Sequence, residues 1–332
     1  MRRTRVHAYK NQAPSTKNQI MRRSSGHAPL VQQLVYAARY FYPRGRLPLG
    51  ALLRRWLEWQ LRARLRLRQR AMILPLDLAP QIELLVPDVA AEYELYLYRT
   101  PLLEAEFFYL RRLIAPGMRV LNVGANVGIY ALASAQLVGA SGDVHAFEPA
   151  ADTFRSLTAN VHWNQQRGLI GANLHCHQLA IADTSGTLRL YQYDTHLQRS
   201  LVAQLPEQPF EDVQAIRLDD WLAQQGIPSV ELLWIDVEGA EALVLQGAAQ
   251  LLASAAAPII VCELNKKFGA PEQIWKLLAC HGYRFWHYNA RQDRLLPVSD
   301  PLSGEIYTHR QGLPGLGYGN VICAKPPWSP IS

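Results

Sequence analysis

Arg119-Val-Leu-Asn-Val-Gly-Ala-Asn-Val-Gly-Ile-Tyr130 is the stretch that decides the fold. Val120, Leu121 and Val123 form a short apolar run, Gly124 to Gly128 make a tight turn, and an apolar-rich segment from Ile129 to Val138 ends at Gly139. The order is strand, loop, helix, the layout in which backbone N–H groups at a helix N-terminus receive a ligand. Glycine suits such a loop because a Cβ would keep the ligand away from the backbone. The spacing is Gly-x-x-x-Gly, not the Gly-x-Gly-x-x-Gly of dinucleotide sites, and no Gly-Lys-Ser/Thr follows. The loop alone specifies a nucleotide-like cofactor and nothing finer.

Working outward, strands and helices alternate, as in a parallel sheet. Strands are expected at Val120–Val123, Val144–Phe147, Leu174–Ile181, Leu232–Val237 and Pro258–Leu264, and helices at Ile129–Val138, Ala151–Gln165, Glu241–Leu252 and Pro271–His281. Two aromatic-rich strands, Tyr283–Tyr288 and Tyr318–Ala324, close the chain. Residues 185–230 are an insertion with a strand near Thr187–Tyr193, placed where such insertions shape a substrate pocket. Before the sheet, Thr100-Pro-Leu-Leu-Glu104 opens a helix to about Ile114, with Pro101 in its first turn. Residues 80–100 read as short antiparallel strands around Gln81–Val86 and Tyr93–Tyr98.

Charge divides the 332-residue chain more sharply than its net +7 suggests. Residues 1–70 hold 17 of the 34 Lys and Arg but one of the 27 acids, leaving 17 bases against 26 acids, a net −9, for the rest. Residues 1–47 read as a basic, disordered arm and 48–100 as a helix followed by short strands. In the helix from Leu49, Leu53, Leu57, Leu61 and Leu65 recur at i+4 beside Trp56 and Trp59. A basic amphipathic helix suits an anionic membrane or polymer surface. It also suits packing of its leucine face on the body, the favoured reading. Four scattered cysteines without Cys-x-x-Cys, and no long apolar run or signal-like start, place the chain in the cytoplasm.

Chemistry-bearing residues sit at strand ends. Glu148, in Ala146-Phe-Glu-Pro149, lies 24 positions after Gly124, where an acid at the tip of the second strand accepts both ribose hydroxyls. Loop and acid together indicate an adenosine cofactor, and the missing third glycine and basic loop residue argue against a pyrophosphate. Asp236, Glu238 and Glu241 crowd the exit of the fourth strand, and Glu263 and Asn265 that of the fifth. Asp236 can orient a hydroxyl or accept its proton, with Glu238 and Glu263 as lesser candidates. Glu241 fits the first turn of the following helix. Asp236, Glu263 and Asn265 make an oxygen set of the Mg²⁺ type, ranked below a metal-free site. His175-Cys-His177 lacks a third ligand for zinc.

Val123-Gly-Ala-Asn-Val-Gly128, Ala146-Phe-Glu-Pro149, Ile235-Asp-Val-Glu-Gly-Ala-Glu241 and Cys262-Glu-Leu264, in this order, resemble the FkbM-type methyltransferase family over roughly residues 100–325. The resemblance implies a class I, Rossmann-like fold over 101–325 with seven strands, six parallel and the last antiparallel, preceded by the basic, mostly helical extension. It implies S-adenosyl-L-methionine as cofactor, Asn122, Gly124, Ala125, Asn126 and Gly128 on its methionine side, and Glu148 on its ribose. It also implies methylation of a hydroxyl on a small metabolite, sugar or lipid-linked glycan. Two positions depart from the family: Asn122, where it usually has Asp, and Trp234, where it favours Lys. Loss of the acid's charge near the cofactor's ammonium predicts weaker cofactor binding. Rival readings are a nucleic-acid methyltransferase guided by the basic arm and a non-catalytic binding protein of the same family.

Overall fold

A computed structural model describes residues 72–76, 82–86, 105–192, 199–202, 207–265, 270–289, 292, 294–300 and 318–328. The chain divides into two compact units, residues 1–68 and 69–332, and every described residue belongs to the second. The basic arm, the leucine-repeat helix, the Tyr93–Tyr98 segment and Pro101 lie outside the described residues.

The second unit opens with an antiparallel hairpin, β1 (Met72–Leu76) and β2 (Ile82–Val86), followed by α1 (Ala105–Leu113). Then come β3 (Arg119–Val123), α2 (Ile129–Val138), β4 (Asp143–Phe147), α3 (Ala151–Gln166) and β5 (Leu174–His177). The 185–230 insertion and its flanks hold β6 (Ala180–Ala182), β7 (Gly186–Gln192), β8 (Arg199–Ser200), β9 (Phe210–Arg217) and α4 (Leu218–Gln225). The chain continues with β10 (Leu232–Ile235), α5 (Glu241–Gly247), α6 (Ala249–Ala253), β11 (Ile259–Asn265) and α7 (Pro271–Cys280). Its last described elements are β12 (Arg284–Asn289), β13 (Arg294–Pro297) and β14 (Tyr318–Ala324).

The main sheet runs β13-β12-β14-β11-β10-β3-β4-β5. Strands β3, β4, β5, β10 and β11 pair in parallel; β14 is antiparallel to both β11 and β12, so β12 points the same way as those five. Six strands therefore run one way with β14 inserted against them. The sheet has eight strands rather than the expected seven, because β13 folds back on β12 as a hairpin at the edge. Parallel strands buried on both faces need nearly continuous apolar sequence. β10 supplies it, with Leu232, Leu233, Trp234 and Ile235 all buried. On one face Leu121, Leu233 and Ile260 meet Trp221 of α4, Leu245 of α5 and Leu278 of α7 in one core.

Two expected elements are divided. Leu174–Ile181 changes sheets at Gln178-Leu179: β5 pairs with β4, whereas β6 pairs with β9 in a second, four-stranded sheet ordered β6-β9-β7-β8. Glu241–Leu252 breaks at Ala248, where Gly247 packs so tightly that a Cβ on it would lie 2.0 Å from the Ala182 carbonyl. Asp219 of α4 then receives the freed N–H groups of Gln250 and Leu251 at 2.8 and 3.0 Å, a capping role supplied from a neighbouring helix. The second sheet has its own small core, in which Leu190, Val213 and Ala215 pack with Ala150 at the head of α3.

Two fully buried asparagines on α3 tie the hairpin to the glycine loop. Asn160 accepts from Leu85 N–H at 2.6 Å and donates to the Val127 carbonyl at 2.8 Å; Asn164 accepts from Glu83 N–H and donates to the Glu83 carbonyl. Asn164 offers the strand edge the donor and acceptor that a further strand would offer, whereas Asn160 bridges the strand to the loop.

Candidate functional site

The polypeptide leaves β3 through Gly124, which has φ +80° and where a Cβ would sit 1.8 Å from the Asp236 carbonyl oxygen. Only glycine fits, and the two signature segments are thereby in backbone contact. Asp236 N–H in turn donates to the Val123 carbonyl at 3.0 Å. The loop's amides are all engaged within the protein. Gly124 and Ala125 donate to the Phe147 carbonyl, Asn126 to Glu148 Oε2, Val127 to Asn126 Oδ1, and Gly128 to the Ala125 carbonyl. The five N–H groups of the loop are thus occupied within the protein, and Ile129 and Tyr130, which open the following helix, line the cleft.

Gly124, Ala125, Asn126, Glu148, Asp236 and Glu238 line one cleft of about 200 Å³. Asn122, Gly128 and Glu263 do not line it. Asn122 lies one residue before the lining and is 1% exposed, with both side-chain polar atoms unpaired. Gly128 is a packing glycine, since a Cβ there would strike Leu157 of α3 at 2.7 Å. Glu263 stands opposite Asn320 in β14. Asn126 and Glu238 are the two non-glycine residues with positive φ among those described, at 50° and 53°, and both face the cleft. Backbone held in that region is a mark of functional loops.

Glu148 is 8% exposed and both its oxygens are engaged: Oε2 accepts from Asn126 N–H at 3.0 Å, Oε1 from Ala150 N–H at 2.9 Å. Burial pushes its carboxyl up to about 7, opposed by those two N–H groups and by Arg199. Glu241 is fully buried and braces the turn after Asp236, with Oε1 accepting from Val237 and Gly239 N–H at 3.2 and 3.0 Å. Burial first, then the charge of Asp236, push its carboxyl up to about 7 as well. The dipole reading of Glu241 held only part of its role.

Seven residues of the cleft were not marked as site residues by the sequence. Tyr130 stacks on Trp234 with ring centroids 4.0 Å apart. Arg199, Ser200 and Leu201 enter from the second sheet, and Leu179, Ile181 and Leu190 complete an apolar flank. Arg199 could not have been found, because its immediate neighbours contain no motif.

The cleft fits an adenosyl cofactor carrying positive charge. It presents three acids, Glu148, Asp236 and Glu238, against one cation, and Arg199 is engaged by Asp152 and Glu211. The buried carboxylate of Glu148 at the end of β4 matches a ligand with a ribose. Among the described residues, no group of three or more His, Cys, Asp or Glu is arranged to hold a metal ion. His175 and His177 join a hydrogen-bonded chain elsewhere on the sheet. His145 Nδ1 lies 3.1 Å from His177 Nε2, its Nε2 lies 3.1 Å from Asp143, and His175 lies 2.9 Å from Asp143. Burial, with the neighbouring histidines, holds His177 down at about 4.

Fold and cleft define a class I S-adenosylmethionine-dependent methyltransferase. The methyltransferase FkbM domain matches residues 122–285. The chain is 31% identical over 203 residues to 31-O-demethyl-FK506 methyltransferase FkbM of Streptomyces tacrolimicus, covering 51% of this chain and 74% of that protein. It therefore belongs to the FkbM methyltransferase family. A shorter match, 45% identical over 40 residues, is to the 2-O-methyltransferase NoeI of Sinorhizobium fredii, covering 12% of this chain and 16% of that one. Among solved structures, FkbM methyltransferase from Methylobacillus flagellatus aligns at 12% identity and a TM-score of 0.40, covering 83% of this chain and 60% of that chain.

Proposed function

We propose that the protein methylates a hydroxyl oxygen of a small metabolite, sugar or lipid-linked glycan. The observation that carries this reading is the backbone contact between Gly124 and Asp236, which sets a carboxylate-bearing turn directly beside the cofactor loop. The two relatives named above, both O-methyltransferases, support it. Bound in the cleft, S-adenosylmethionine supplies a methyl group made electrophilic by a positively charged sulfur. Glu148 holds the ribose hydroxyls, while the loop from Gly124 to Asn126 excludes water along the methionine side. Asp236 would orient the acceptor hydroxyl toward the bound methyl donor and accept its proton, the new carbon–oxygen bond forming as the methyl–sulfur bond breaks and the neutral thioether leaves. Glu238, held at positive φ beside it, borders the acceptor.

The test is calorimetry with S-adenosylmethionine, then an acceptor screen with labelled methyl donor. At saturating cofactor, Asp236→Asn should lower transfer roughly 10²–10⁴-fold. Full turnover of that variant, or label recovered on nitrogen or carbon, would overturn the assignment. A second reading, a family member that binds cofactor without catalysis, draws on the unpaired Asn122 and Trp234 and predicts no transfer to any acceptor. The basic N-terminal segment is proposed to contact an anionic membrane or polymer; salt-insensitive or absent co-sedimentation with anionic vesicles would count against it.

A further inference from the structure

A carboxylate that grips a ribose must be ionised, and Glu148 is buried where burial opposes ionisation. We propose that Arg199, reaching in from the second sheet, is a positioning residue for the cofactor: it keeps Glu148 a carboxylate and clamps the segment that carries it. This builds on the reading of the cleft as an S-adenosylmethionine site.

Arg199 lies on β8, the edge strand of the second sheet, and lines the cleft with Ser200 and Leu201. Its side chain is 13% exposed. The guanidinium is bidentate to Asp152, Nη1 to Oδ1 at 2.6 Å and Nη2 to Oδ2 at 2.7 Å, and Nη1 also donates to Glu211 at 2.7 Å. Asp152 sits in the first turn of α3, four residues after Glu148. The clamp therefore joins the insertion to the corner of the main sheet that holds the ribose acid.

The charges around Glu148 divide by sign. Arg199 favours its ionised form and Asp152 disfavours it, with the Ala150 and Asn126 amides adding to the favourable side. Glu211 on β9 is paired with Arg199, and Asp236 and Glu238 line the same cleft. With Arg199 removed, Glu148 loses its cation and faces an unneutralised Asp152; both changes favour the protonated acid. With Asp152 removed instead, the cation remains and an anion disappears, which favours the carboxylate. A clamp that acted by structure alone would give the same sign in both cases.

Each Glu148 oxygen already accepts one backbone N–H, leaving one lone pair apiece for the two ribose hydroxyls. Protonation turns one of those acceptors into a donor. With the carboxyl at about 7, cofactor affinity should rise as pH increases through neutrality.

The experiment is calorimetric titration with S-adenosylmethionine between about pH 5.5 and 9 for the full-length protein and for Arg199→Gln, Arg199→Lys, Asp152→Asn and Glu148→Gln. The full-length protein should gain roughly tenfold in affinity across neutrality. Arg199→Gln should move that rise to higher pH by about one unit, Arg199→Lys should restore most of it, and Asp152→Asn should move it to lower pH. Glu148→Gln should show no rise. Binding that is weaker in Arg199→Gln at every pH with an unmoved midpoint overturns the proposal, as does a shift of the same sign in Arg199→Gln and Asp152→Asn. Should Arg199→Gln fail to fold, the sign of the Asp152→Asn shift decides. Absence of cofactor binding by the unmodified protein at any pH removes the cofactor reading itself, whereas binding with unmoved midpoints removes only the role of Arg199.

Discussion

At the exit of β4, both oxygens of Glu148 are hydrogen-bonded, whereas on the rung between β3 and β10 the polar atoms of Asn122 and Trp234 are bonded to nothing. Both sites are buried and lie within a few residues of the cleft. They differ in what burial does. At Glu148, an ionisable acid is retained and accepts from two amides, with Arg199 lining the same cleft. Asn122 and Trp234 are register partners, standing side by side across the two strands. The family resemblance leads one to expect Asp at the first and Lys at the second. Their adjacency turns two departures into one. An acid and a lysine at these two positions would face each other across the strands as a buried pair, whereas the neutral amide and the indole leave no buried charge on this rung. Asn122 is buried outside the lining of the cleft, so any effect of it on cofactor binding would act through its neighbours.

That comparison can be broken most forcefully at Gly124. Gly124→Ala pushes a methyl into the Asp236 carbonyl at a positive φ, and should cost about 3–5 kcal/mol in denaturant unfolding and remove cofactor binding. A variant of native stability would show that the two signature segments are not locked together. Asn122→Asp alone should be destabilised by about 3–4 kcal/mol, as an unpaired buried charge. Combined with Trp234→Lys, it should show a coupling of about 2 kcal/mol in a double-mutant cycle. Strict additivity would end the idea of a paired exchange.

A smaller effect is expected at Glu241, whose folded carboxyl at about 7 lies above its ordinary value of 4.5. The unfolded chain ionises this group first as pH rises, so its contribution to stability is present below about 4.5 and lost as pH climbs to about 7. Glu241→Gln keeps an acceptor for Val237 and Gly239 N–H and removes that loss. Stability of the variant relative to the unmodified protein should therefore improve by up to about 3 kcal/mol between pH 5 and 8. A pH-independent difference would contradict the assignment of a burial-raised acid.

Local signals were strong enough to set the frame. Helix α2 begins after Gly128 and ends before Gly139, both at positive φ, and the sequence marks both ends. Strand β14 is likewise bounded as its aromatic start and apolar core suggest. What stayed hidden depended on partners distant in sequence. The passage from β5 to β6 continues one apolar pattern while its hydrogen-bond partner changes from β4 to β9. The break between α5 and α6 falls where Gly247 packs on the Ala182 carbonyl and Asp219 caps the freed N–H groups, and both partners are distant in sequence. In the cleft, Gly124, Glu148 and Asp236 follow strand ends and were legible for that reason. Gly128 showed the same glycine signal for a different purpose, close packing on Leu157. Arg199 arrives from a sheet whose topology its own sequence does not state.

The central claim is that Glu148 holds the ribose of S-adenosylmethionine in this cleft. The direct measurement compares calorimetric affinity for S-adenosylmethionine in the unmodified protein and in Glu148→Gln at pH 8, with thermal unfolding as a control. Binding by the unmodified protein is expected, with a loss of at least about tenfold in the variant, the worth of one charge-assisted hydrogen bond. Equal affinity in two folded proteins would contradict it.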